Sequence, residues 1–370
     1  MSQTHYDISC QALGVAIRCR TPILLWGSPG QGKTSVIKSI AEQHDANLVT
    51  ILASIREPAD FAGLPNVVGS RTELIAPGWA QDIAAHDGES ILFFDEISTA
   101  PPATQSALLR VVLDRVVGDL PLGEKVSILA AANPPEQATD GWDLAPPMAN
   151  RFVHLDWSLP ASVVQMGLMT GWPTVEVPEM SVDDAAAHIA EAKILVGSFL
   201  GVRQDYTTVI PDSASESGRA FPTPRSWETA SVLYGYCNAV GADPSVARIL
   251  LVGTVGQAAA GEFLTYIHDM DLPDAEEVLA DPKSWKIPER GDKVYAVAAS
   301  IYIAVKNNTT PERWKQMGDV LAEIANHDHA DIAVSVGRLW IELRPENSLP
   351  PASVVKSLRA LFKELNLIGK

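Results

Sequence analysis

Residues 27–34 read Gly-Ser-Pro-Gly-Gln-Gly-Lys-Thr, directly behind the apolar run Ile23 to Trp26 and ahead of the spacing Val36, Ile37, Ile40, Ala41. An apolar run without polar alternation is a strand buried on both faces. The spacing that follows is that of a helix with one apolar face. A strand, a glycine loop and a helix in this order open a crossover unit, which commits the chain to a parallel sheet with helices on both faces. The same residues carry chemistry. Gly27, Gly32, Lys33 and Thr34 fit the spacing G-x-x-x-x-G-K-[ST], in which successive backbone N–H groups curl around phosphate oxygens at the positive end of a helix.

Ser28, Pro29, Gly30, Gln31 and Ser35 complete a loop expected to bind ATP. Lys33 is expected to reach the β- and γ-phosphates, and the Thr34 hydroxyl to hold Mg²⁺. Further buried strands are expected at Leu48 to Leu52, Ile91 to Phe94, Ile128 to Ala132 and Phe152 to Trp157. The third of the five ends in two acids. Asp95 is expected to hold the Mg²⁺, and Glu96 to polarise the attacking water. The strand at 126–132 ends in Asn133, placed to orient that water or to serve as a turn former before Pro134. Arg151, before the fifth strand, and Arg225, in Pro-Thr-Pro-Arg-Ser-Trp, can each stabilise charge on a transferring phosphoryl group. Read singly, either is better explained as an ordinary surface cation making a weak ion pair.

The chain has 370 residues, 46% of them hydrophobic, a content too high for overall disorder. The net charge is −17, spread as −8 over residues 1–158 and −9 over 159–370. A diffuse negative field disfavours nucleic acid as the main partner. No apolar run reaches the ~18 residues of a membrane helix, and no membrane insertion is expected. The N-terminus lacks the pattern of a signal peptide. Cys10, Cys19 and Cys237 are too scattered for a disulfide framework or a zinc site, which fits a reducing cytoplasm.

Beyond Trp157 the strand-like runs stop. Helical spacing is expected at 181–200, 226–240, 244–268, 292–306, 311–326, 329–343 and 351–366, with a Ser/Pro-rich loop at 211–224. The expected organisation is a nucleotide-binding core at 1–158, a helical lid at 159–275 and a helical extension at 276–370. His327 and His329 read as helix-terminal residues, with no further metal ligands apparent.

The order of these motifs resembles an AAA+ ATPase, and more closely the MoxR group with its RavA-type and CbbQ/NorQ-type members. The resemblance rests on Arg-Glu-Pro-Ala-Asp-Phe-Ala-Gly-Leu-Pro (56–65), Ala-Pro-Gly-Trp (76–79), the stretch 93–115 that begins Phe-Phe-Asp-Glu, Ala-Ala-Ala-Asn-Pro-Pro-Glu (130–136) and the segment 222–227 around Arg225. It implies an αβα core with a five-stranded parallel sheet, an all-helical lid and a helical extension. It also implies a ring of identical subunits, usually six, with ATP between them. Arg151 matches the arginine finger that acts on the neighbour's nucleotide, Asn133 matches sensor 1 and Arg225 matches sensor 2. Residues 66–74 and 116–126 match hairpins that face the pore or the substrate side. Arg110 and Arg115 depart from the acid-rich helix end of the family and could approach an adjacent subunit or be solvated. Asn150 stands where Asp is commoner.

The resemblance implies an ATP-driven motor that matures, remodels or inserts a cofactor into a client protein, with a separately encoded von Willebrand factor A-type partner. Two alternatives stay open: an ATP-dependent scaffold or switch with slow resetting hydrolysis, and a nucleic-acid motor. Against the second, the hairpins offer Arg71 beside Glu73, and Lys125 beside Asp119 and Glu124.

Overall fold

The computed structural model describes residues 2–134, 137, 142–270 and 272–359. Pro135 and Glu136 of the 130–136 motif lie outside the described residues, as does the end of the helix expected at 351–366.

Two compact units are present, one formed by residues 1–183 with 206–261, the other by 184–205 with 262–370. The first is built on nine strands: β1 (Ile23–Trp26), β2 (Asn47–Leu52), β3 (Leu64–Val68), β4 (Arg71–Ile75), β5 (Ser90–Asp95), β6 (Val116–Val117), β7 (Leu120–Pro121), β8 (Val126–Ala132) and β9 (Val153–Asp156). Five of them form one sheet in the order β2-β5-β8-β1-β9, parallel throughout. These are the five strands expected from the apolar runs. β1 and β8 are buried along their whole length, which is why neither alternates with polar residues.

Parallel pairing puts all five C-terminal ends on one edge. In the β1–β8 register Trp26 stands opposite Ala132, so Gly27 and Asn133 leave the sheet side by side. Asp95 ends β5 on the other side of β8. The edge where neighbouring strands diverge to opposite faces is where open α/β sheets bind ligands.

The motif residues around the sheet serve largely in packing. Phe61 is buried, edge-on to Phe94 at 6.0 Å and to Trp79 at 6.2 Å. Burying a side chain of that size contributes about 1.5–3 kcal/mol. Gln105, buried in the helix Pro102–Asp114, donates to Ala100 O at 3.0 Å, and its Oε1 accepts from Ala145 N–H at 3.4 Å. Thr104 donates to Arg56 O at 3.1 Å.

Both expected hairpins are present, β3–β4 and β6–β7. The turn of the second is joined to the base of the first. Gly118 N–H donates to Phe61 O, Asp119 N–H to Leu74 O at 2.9 Å, and Leu74 N–H back to the Asp119 carboxylate at 2.8 Å. Gly118 has φ +58°, and a Cβ there would lie 2.5 Å from Leu74 O. Arg115 is not free for a neighbour. Its guanidinium donates to Val126 O at 2.6 Å and Arg20 O at 2.9 Å, holding the second hairpin to the sheet.

The helix Gln3–Arg18, capped by Ser2, is an element that the sequence reading did not anticipate, and the helix Ala161–Thr170 is another. The single helix expected over 244–268 is two, Pro244–Val255 and Gln257–Met270, broken at Gly256. Gly256 has φ +83°, and a Cβ would meet Ala220 O at 2.9 Å.

The second unit is a helical bundle with its own core. The helices Pro311–Asn326 and Ala330–Glu342 are clasped by Trp314 and Trp340, whose rings stack at 4.4 Å. Each indole N–H donates to the other's carbonyl, at 3.0 and 2.8 Å. Among the described residues no helix is long and apolar enough to cross a membrane, and no cluster of three metal-ligating side chains occurs.

Candidate nucleotide site

The loop between β1 and the helix Lys33–Gln43 turns through Gly30 at φ +77° and Gly32 at φ +72°. These left-handed angles suit glycine. A Cβ on Gly27 would come within 2.3 Å of Trp157 O, so that position also excludes a side chain. Gln31 anchors the loop to the end of the sheet. Its carbonyl accepts from Trp157 Nε1 at 3.1 Å, and its side-chain Oε1 accepts from Leu159 N–H at 2.9 Å.

Residues 29–35, Asp95, Glu96 and Asn133 line one cavity of about 320 Å³. Inside it Lys33 Nζ donates to Gly27 O, to Ser28 O at 3.1 Å and to Asn133 Oδ1 at 2.9 Å. Thr34 Oγ1 donates to Asp95 Oδ2 at 2.7 Å. Burial pushes the Lys33 ammonium pKa down, and the carboxylates of Asp95 and Glu96 act against that shift. The loop's N–H groups, an ammonium and the start of a helix together favour an anion of phosphate type. The paired hydroxyl and carboxylate of Thr34 and Asp95 are hard oxygen donors of the kind Mg²⁺ takes.

Glu96 sits at φ +55°, outside the strand, with its side chain exposed. Its Oε2 accepts from Ser54 Oγ at 3.3 Å. The turn carries the carboxylate out of the sheet line to the cavity wall, on the same edge as Asn133.

Arg151 and Arg225 are not in this cavity. Arg151 donates to Pro147 O, and its Nε is buried with no partner among the described residues. Burial lowers its pKa, and the proximity of the Arg225 guanidinium adds to that. Arg225 is exposed, in the first turn of the helix Pro224–Ala239. The two arginines are thus near each other rather than near the phosphate loop of their own chain.

Two supporting side chains escaped the sequence reading. His154 in β9 is fully enclosed. It accepts at Nδ1 from Trp26 Nε1 at 2.8 Å and meets Ala149 O through Nε2 at 2.9 Å. A carbonyl only accepts and an indole N–H only donates, so the imidazole is neutral with its proton on Nε2. Arg219 covers Trp26 at 4.1 Å and pairs with Asp156 at 3.1 Å. Sequence offers no signal for a histidine buried mid-strand beyond its interruption of an apolar run.

Residues 23–152 match the family model for the ATPase family associated with various cellular activities (AAA). Over these residues the chain is similar to an AAA ATPase domain. A curated relative, the ATPase family gene 2 protein homolog B of Rattus norvegicus, is 28% identical over 142 residues. The match covers 36% of this chain and spans 17% of that relative's length. Among solved structures, a candidate ATPase from Cytophaga hutchinsonii is 16% identical at a TM-score of 0.41, covering 71% of this chain and 91% of that one. A full-length MCM homologue from Methanopyrus kandleri is 17% identical at a TM-score of 0.38, covering 70% of this chain and 55% of that one. At such scores neither likeness bears on function.

Proposed function

We propose that the chain is a MoxR-type AAA+ motor that hydrolyses Mg·ATP at sites completed between identical subunits, in a ring of six. The observation that carries this reading is the content of the cavity. It holds an ammonium, a hydroxyl–carboxylate pair, a second carboxylate and an amide, and no guanidinium. Charge developing on a transferring γ-phosphoryl calls for an arginine in cis or in trans. With Arg151 directed elsewhere, the reading takes it from a second copy.

In this scheme the loop Gly27 to Ser35 binds the phosphates, Lys33 neutralises their charge, and Asn133 orients the γ-phosphate and the water. Glu96 accepts the proton of that water as it attacks. Thr34 and Asp95 would hold Mg²⁺, which when bound draws charge from the phosphate oxygens. Arg225 joins Arg151 as a second cation.

The turnover drives work on a protein client in the cytoplasm, such as maturation or cofactor insertion, with a von Willebrand factor A-type partner that recruits it. The exposed β3–β4 hairpin supports a protein client over nucleic acid. It presents Leu64, Val67 and Val68 to solvent, each at least half exposed, on a chain of net charge −17.

Glu96→Gln tests the hydrolytic reading. The variant should bind ATP as tightly as the parent, turn it over at least a hundred-fold more slowly and accumulate as ATP-loaded oligomers. Turnover at the parent rate would remove Glu96 from the chemistry.

A further inference from the structure

The segment that carries Arg151 is tied to the segment that carries Arg225 by one side chain, Asn150. Its Nδ2 donates to Phe221 O at 2.8 Å, and its Oδ1 accepts from Thr223 Oγ1 at 2.7 Å. Thr223 is itself the N-cap of the helix Pro224–Ala239. Its Oγ1 also receives Ser226 N–H at 3.2 Å, and Ser226 Oγ receives Thr223 N–H at 2.8 Å and donates to Phe221 O at 3.0 Å. Arg225 is the second residue of that helix. The clamp therefore fixes a helix start, not a loose loop.

The amide supplies both halves of this contact, a donor to Phe221 O beside that of Ser226 and an acceptor for the Thr223 hydroxyl. An aspartate there keeps the second bond and sets a carboxylate against a carbonyl in place of the first. Asparagine at this position thus matches a requirement of this chain's own geometry. On the far side, His154 binds Ala149 O, so the turn 147–151 is held both by the sheet and by the helix that follows Thr223.

We infer that Asn150 is a positioning residue that makes Arg151 and Arg225 a single two-cation element, presented together to the nucleotide of a neighbouring subunit. This rests on the proposed action of Arg151 in trans. Neither arginine lines its own chain's cavity, burial and the Arg225 charge both lower the Arg151 pKa, and the Arg151 Nε is buried without a partner among the described residues. Two cations held close together in one chain are costly and gain most when a polyanion faces both. A displacement of about 1 Å in such a group can lower turnover by about a hundred-fold.

The test is a mixing experiment with full-length chains. Asn150→Ala and Thr223→Val should each keep the parent's affinity for a fluorescent ATP analogue, and kcat should fall about ten- to a hundred-fold in the first and less in the second. Asn150→Ala is then mixed with Glu96→Gln. Sites that pair an intact Glu96 from one chain with an intact arginine pair from the other should recover activity well above the sum of the two variants alone. The control mixes Arg151→Ala with Glu96→Gln. No recovery in the control overturns action in trans itself. Recovery in the control without recovery for Asn150→Ala overturns the inference about Asn150, whether that variant is misfolded or defective in its own site. A chain that complements must be folded, so recovery also excludes simple loss of structure.

Discussion

Lowering the pH should destabilise the first unit through one residue, His154. Burial drives its imidazole pKa down to about 4, helped by the Arg219 charge and opposed by the Ala149 carbonyl and Asp156. An unfolded histidine titrates near 6.5. Between those two values the unfolded chain binds the proton and the native chain does not, so stability falls as pH falls through that window. A difference of about 2.5 units corresponds to about 3 kcal/mol, fully present above pH 6.5 and lost by pH 4. The structural reason is specific. A proton added at Nδ1 would face the Trp26 N–H, and neither donor would have an acceptor. Two-dimensional NMR of the imidazole nitrogens should show the Nε2–H tautomer at pH 7 and no titration above pH 5. Urea unfolding followed at pH 7 and pH 4.5 should show a larger loss for the parent than for His154→Gln, which has no proton to gain. A titration midpoint near 6.5, or equal losses in both proteins, would refute the reasoning.

Other perturbations have distinct outcomes. Lys33→Ala removes the ammonium that reaches Asn133 and the loop carbonyls, and should abolish ATP binding in a calorimetric titration while leaving the thermal midpoint of the free protein nearly unchanged. Gly118→Ala places a methyl group 2.5 Å from Leu74 O at a φ of +58° and should cost about 1–3 kcal/mol. Its loss should appear in hydrogen exchange as faster exchange of the Asp119 amide, with ATP affinity unaffected.

The sheet was legible in the sequence because its central parallel strands, buried on both faces, leave uninterrupted apolar runs; all five runs became paired strands, although β2, expected to be buried, lies at the sheet edge with Thr50 and Leu52 exposed. The loop from Gly27 to Thr34 was legible because its glycines are demanded by backbone geometry, which any chain with this turn must satisfy. Residues that act through one bond to a distant partner were not. Gln105, His154 and Asn150 reach partners 40, 128 and 71–73 positions away, and nothing local marks a side chain whose partner lies in another segment. The helix Gln3–Arg18 was not legible either, because Gly14 weakens the helical signal at a point where a Cβ would meet Glu176 O at 2.0 Å. The break at Gly256 depends on the close approach of Ala220 O, a tertiary fact without a local signature. Arg115, open to a surface role by sequence, is held by two backbone carbonyls that only the fold brings to it.

The central claim is that the cavity around Lys33 is completed by Arg151 of another copy. Specific ATPase activity of the purified chain, measured across a thousand-fold range of its own concentration with the mass of the species recorded at each point, tests it most directly. Activity per chain should rise as oligomers form, and Arg151→Ala should abolish the rise while oligomers still assemble. Full activity from a species whose mass is that of one chain would contradict it.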